Sequence, residues 1–267
     1  MTKWNSTRRQ MCGGGGFAAF LALAGLSGCT TQGRSASTLA PNKLRIGTYF
    51  VNPPFEYVAD GQRVGFEVDL MNVIARQLSL DAVFVDTQWE TILQEMENGL
   101  YDCIVGGITI TPQRARTLLW STPYMTTTLS LVIDANRSPQ LRSFTAFRQA
   151  TIGVQAATTD YDIAKAMLTR GEIGGIRVYA FANIGDAMID LAAGRIDAVM
   201  KVHPVAAWLA SRTPGLKIAA QVPNDPQPLG IGVRKGNAAL LRQIDNALAA
   251  MKRDGTYDRL AVSWGVQ

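Results

Sequence analysis

The strongest constraint on the fold is an alternation. Short apolar, β-branched runs, among them LRIGT at 44, AVFVD at 82, CIVGG at 103, TIGVQ at 151, IRVYAF at 176 and DAVM at 197, are separated by helical patterns such as FEVDLMNVIARQL and NAALLRQIDNALAAMKR. Continuous apolar runs of that length suit strands buried on both faces, and helical segments between them suit crossovers. The chain is therefore expected to be α/β, with parallel sheets covered by helices.

An internal echo refines this. ENGLYDCIVGG at 97–107 lines up with AAGRIDAVMKV at 192–202, and LRIGT at 44 with ATIGV at 150. Two copies of one strand, helix, strand scheme predict two similar lobes, and residues 44–267 suit two lobes of ~100 residues each. Ligands of open α/β sheets gather at the carboxyl ends of the strands. Gly106 and Gly107 leave such an end in one copy and Lys201 and Val202 in the other, so facing lobes would put both sets on one cleft. LGIGVRKGN and the two helical stretches after it have no counterpart in the first half and are expected to complete lobe one. The expected division is 44–133 with 229–267 for lobe one and 134–228 for lobe two, with crossings near Asp134 and in VPNDPQP at 222–228. Two crossings make a hinge.

GGITITPQRART at 106–117 places a fixed cation just past two glycines. Thr111 followed by Pro112 reads as a helix start, which would set Arg114 in a first turn, a good address for a carboxylate or phosphate. The alternative is an ordinary surface arginine in a loose ion pair.

The N-terminus carries Lys3, Arg8 and Arg9 and no acid, then the short apolar run FAAFLALAGL, which reads as a secretory signal. It ends in Leu26-Ser27-Gly28-Cys29, similar to a bacterial lipobox, in which the cysteine is acylated; a plain signal peptide is the alternative. Residues 1–28 would be the signal and 29–43 a flexible tether, and GGGG at 13–16 falls in the signal rather than in a phosphate loop. Removing the signal lowers the formal charge from +5 to +2 and leaves no basic stripe for nucleic acid. Cys103 remains as a lone core thiol, and with His203 the one histidine, no metal site or other cofactor is expected.

Several motifs in order resemble one family: PPFEY at 53, GFEVDLMNVIARQL at 65, GGITITPQR, GVQAATT at 153, GRIDAVM at 194 and GIGVRKGN at 230. Over about residues 44–266 the chain resembles the bacterial extracellular solute-binding proteins of the polar amino acid type, receptors of ABC importers. The resemblance implies a two-lobed periplasmic-binding-protein-like type II fold. It implies that Arg114 forks onto a ligand carboxylate, that Gly107 and Thr109 add donors, that Thr158 and Thr159 form a second cradle at a helix start, and that Trp89 packs on the ligand. Two positions depart from the pattern. Val202 stands where an aspartate takes the α-ammonium, and Asn52 where an aromatic is expected, although Tyr49 and Phe50 lie close by. Lys201 and His203 flank Val202 and are expected to point away from the cleft. The implied protein is a lipid-anchored, monomeric receptor of the periplasm or cell surface that captures a small carboxylate-bearing solute for a membrane permease. The alternative on the same fold is a cyclohexadienyl dehydratase, which needs a general acid in the cleft.

Overall fold

The computed structural model of the protein describes residues 37–266. The signal segment, Cys29 and most of the tether lie outside the described residues. The end of the expected tether is docked: Leu39 donates its amide to Asp102 at 2.7 Å, Asn237 donates its side-chain amide to Ser37 O at 3.0 Å, and Lys43 already belongs to a strand.

Lobe one begins with β1 (Lys43–Thr48), a small hairpin sheet of β2 (Val51–Asn52), β3 (Glu56–Ala59) and β4 (Gln62–Val64), and α1 (Phe66–Gln77). It continues through β5 (Asp81–Asp86), α2 (Trp89–Glu97), β6 (Cys103–Ile104) and β7 (Leu118–Trp120). A first hinge strand, β8 (Met125–Thr127), leads into β9 (Leu129–Asp134), β10 (Thr151–Gln155), α3 (Thr159–Thr169), β11 (Gly175–Tyr179), α4 (Ile184–Ala192), β12 (Ala198–Val202), α5 (His203–Arg212) and β13 (Leu216–Gln221). The chain returns through β14 (Gln227–Leu229) to β15 (Gly232–Arg234), α6 (Ala238–Arg253) and α7 (Thr256–Trp264). The sheets run β5-β1-β6-β15-β7 and β11-β10-β12-β9-β13.

Three strands of each sheet are parallel, as the alternation predicts. In each sheet one further strand, β15 or β9, enters from the hinge and so from the opposite end, pairing antiparallel to both of its neighbours, and β7 or β13 lies beyond it at the edge. The hinge also shifts one expected boundary. The first crossing is made by β8, which pairs with β14, and β9 already belongs to the second sheet, so the chain leaves lobe one before Asp134. An apolar run at 129–134 reads the same in either lobe, because only the strand it lies beside decides its membership.

The repeat has a physical basis in two aspartates. Asp102 accepts the Arg45 amide at 2.8 Å and donates its own amide to Arg45 O at 2.9 Å. Asp197 does the same with Thr151, at 2.7 and 2.9 Å. Each aspartate pins the first strand of its lobe to the central one. The glycine that follows in each first strand makes room for the residue before the aspartate: a Cβ on Gly47 would lie 2.5 Å from Tyr101, and one on Gly153 2.7 Å from Ile196.

Helix α1 buries Phe66, Leu70, Met71 and Ile74 at helical spacing against the sheet, and α6 and α7 pack beside it. Its start requires glycine, since Gly65 has φ 140° and a Cβ there would sit 2.1 Å from Phe55 O. Cys103 is wholly buried, and burial pushes its thiol pKa up, as suits an inert core residue.

Candidate functional site

The strand end at β6 opens into the glycine pair. Gly106 O accepts from the Tyr49 hydroxyl and, at 3.5 Å, from Asn52. The Gly107 amide is aimed inward and donates to both carboxylate oxygens of buried Glu67, at 2.9 and 3.1 Å. The expected donor at Gly107 is therefore already engaged, because a buried carboxylate in the first turn of α1 must be satisfied. Beside Glu67, Glu56 is completely buried, and desolvation followed by the Glu67 charge pushes its pKa well above the usual carboxylate range.

Arg114 does not begin an α-helix. It sits in a single 3-10 turn, Arg114–Arg116, with its amide on Thr111 Oγ1 at 3.2 Å. Nη1 donates to Thr109 O at 2.8 Å, and the guanidinium carbon lies 5.0 Å from the centre of the Trp89 ring. Among the described residues no carboxylate lies within ion-pair distance of it. Burial pulls its pKa down, so the site holds a partly desolvated cation in need of an anion.

Lobe two contributes the start of α3. Thr158 is its N-cap and accepts the Tyr161 amide at 3.3 Å, while Thr159 Oγ1 lies 3.4 Å from Thr109 Oγ1 across the cleft. Asp160, in the first turn, is 2 % exposed. Its partner is Lys201, whose Nζ lies 3.2 Å from Asp160 Oδ2 and donates to Gln155 Oε1 at 2.5 Å. The expectation that Lys201 points away is wrong: it is 4 % exposed and faces the cleft. A lysine so buried needs a buried acid, and Asp160 supplies it from a different element. His203 does turn away, toward Ser130 and Gln221.

These groups enclose a cavity of about 30 Å³. Tyr49, Asn52, Trp89, Gly107, Thr109, Arg114, Thr158, Thr159 and Val202 all line it, joined by Gly106, Asp160, Lys201 and Phe181. Phe181 reaches over from lobe two to stack on Trp89 at 5.3 Å and meet Tyr49 edge-on at 4.8 Å. The sequence carried a partial signal for Asp160, an acid directly after the Thr158-Thr159 cradle, but an acid in a first turn is also an ordinary partner for the helix dipole. Phe181 lies on a short 3-10 turn and carried none.

Residues 44–267 match the pattern of the bacterial extracellular solute-binding proteins, family 3. The chain belongs to that family. It is 31% identical over 250 residues to ABC transporter arginine-binding protein 1 of Escherichia coli (strain K12), covering 91% of this chain and 98% of that protein. An ancestral arginine-binding protein solved with arginine superposes with TM-score 0.75 at 32% identity, covering 84% of this chain and 98% of the other. The ancestral amino acid-binding protein AncCDT-1, a precursor of cyclohexadienyl dehydratase, superposes with TM-score 0.74 at 32% identity over 84% and 95%.

Membership sharpens the two departures. At Val202 the family 3 chain presents an apolar side chain, 6 % exposed, at the head of α5. The carboxylate in its cavity is instead Asp160, whose Oδ2 is near Lys201 but accepts no aligned hydrogen bond. At Asn52 the smaller side chain leans on Gly106 and leaves the aromatic role to Tyr49 and Trp89.

Proposed function

We infer that this chain captures an amino acid between its lobes and presents it to an ABC permease. The observation that carries this reading is the half-buried guanidinium of Arg114, without a carboxylate partner among the described residues, facing the start of α3 across a gap closed to 3.4 Å at Thr109 and Thr159. A carboxylate placed there receives two parallel N–H bonds from one lobe and amide hydrogens from the other, so binding itself draws the lobes together. The underused oxygen of Asp160 accepts the α-ammonium, the role Val202 cannot fill. Gln227 couples the site to the hinge: it lies on β14 and accepts from Thr109 Oγ1 at 3.0 Å. Names of relatives that bind arginine and cystine support an amino acid ligand.

A thermal-shift screen of the protein amino acids against their deaminated counterparts tests this. At least one amino acid should raise Tm, and its deaminated analogue should raise it less, since a ligand present at about 100 times its Kd adds ~2.7 kcal/mol to the folded state. No response to any amino acid, or a consistent preference for the deaminated acids, rejects the reading.

Cys29 would carry the lipid that tethers the receptor at the outer face of a membrane, on the strength of the LSGC sequence. Its replacement by serine should release the protein into the soluble fraction; retention at the membrane would refute the anchor. The dehydratase alternative has less support. The one carboxylate lining the cavity among the described residues is Asp160, and it is engaged by Lys201 at 3.2 Å rather than standing free as a general acid.

A further inference from the structure

Between the hairpin of lobe one and helices α4 and α5 of lobe two lies a second chamber, of about 330 Å³. Asn52 and Lys201 form part of its wall and part of the wall of the 30 Å³ cavity, so the two spaces adjoin through these side chains. Its remaining surface is mainly apolar and aromatic: Phe50 and Tyr57 from lobe one, Val205, Trp208 and Leu209 from lobe two. Tyr57 meets Trp208 across it, edge to face, at 5.9 Å. The inner wall is deeply buried, with Phe50 6 % and Val205 3 % exposed, while Val58 on the rim is 55 % exposed.

We propose that this chamber receives the side chain of the bound amino acid, and that the chain selects an uncharged solute with a long apolar or aromatic substituent. The proposal rests on the amino acid reading given above and adds the ligand class. Three observations direct the side chain there. The cavity beside Arg114 has room for roughly two waters, and so for no side chain of any length. The aromatic slot between Tyr49 and Trp89 is filled by Phe181, which Gln155 holds by donating to its carbonyl. The chamber adjoins that cavity, because Asn52 and Lys201 belong to the walls of both.

The lining chemistry selects against a cation. Among the described residues no aspartate or glutamate lines the chamber, and Lys201 stands at its neck. Outside it, Arg63 covers Phe50 at 4.4 Å and Arg212 covers Trp208 at 5.2 Å, so the ring faces that could attract a cation are already engaged. An arginine side chain would enter a space whose described lining offers it no carboxylate, while Asp160 behind the neck is already paired with Lys201. A phenyl or branched alkyl group would bury apolar surface against Tyr57, Trp208 and Leu209.

Calorimetry with L-alanine, L-phenylalanine and L-arginine tests this on the purified protein and on Val58→Trp, which fills the chamber from its exposed rim and leaves the Arg114 cavity untouched. Phenylalanine should bind at least about ten-fold more tightly than either alanine or arginine, the gain expected for burying one aromatic side chain. Val58→Trp should erase that advantage, with the alanine affinity as the control for the headgroup site. Tighter binding of arginine than of phenylalanine overturns the proposal while leaving the amino acid reading intact. So does an equal loss for alanine and phenylalanine in Val58→Trp. Failure of every amino acid in the thermal screen overturns both.

Discussion

Replacing Arg114 by alanine should abolish ligand binding and leave the fold standing. The guanidinium offers a carboxylate two charge-assisted bonds, each worth about 1.5–3 kcal/mol in a partly desolvated site, so affinity should fall by a factor of about 100 or more. The structural ties of Arg114 are few: one bond to Thr109 O and a face-on contact with Trp89. Their loss should cost about 1 kcal/mol of stability, which leaves circular dichroism and cooperative melting unchanged. Arg114→Lys should recover little, since an ammonium donates to a carboxylate as a point and not as a fork. Calorimetric binding by the alanine variant as tight as in the parent would remove Arg114 from the site.

The second large effect concerns stability. Lys201 and Asp160 are 4 % and 2 % exposed, and each is the other's only ionic partner among the described residues. Lys201→Met strands the Asp160 carboxylate in the interior, and removing one member of a buried pair costs about 3–5 kcal/mol. Adding Asp160→Asn removes the stranded charge and should restore most of the loss. Equal destabilisation in the single and double variants, measured by denaturant unfolding, would show that the two charges do not act as a pair.

Much of the architecture is legible in the chain. The repeat of a glycine, an apolar residue and an aspartate ahead of a strand marks the two places where a carboxylate locks one strand to another, at Asp102 and Asp197. Local patterns carry such information because the interactions are made by residues at constant spacing on neighbouring elements. The hinge is less legible. LSLVI at 129 is an apolar run that suits either sheet, and its pairing with β12 and β13 is decided over separations of tens of residues.

By itself the sequence determined the alternating α/β plan, its duplication into two lobes, and the presence of an arginine just beyond a glycine pair at a strand end. Those follow from periodicity and from backbone conformations that few residues tolerate. Only the tertiary structure decided that Lys201 turns inward to meet Asp160, that Phe181 fills the slot between Tyr49 and Trp89, and that Asn52 stands between two chambers. Each depends on which surfaces of the two lobes face each other. The direction of a side chain on a strand end is set by the charge or ring that meets it from the other element, and that partner lies beyond the reach of any local pattern.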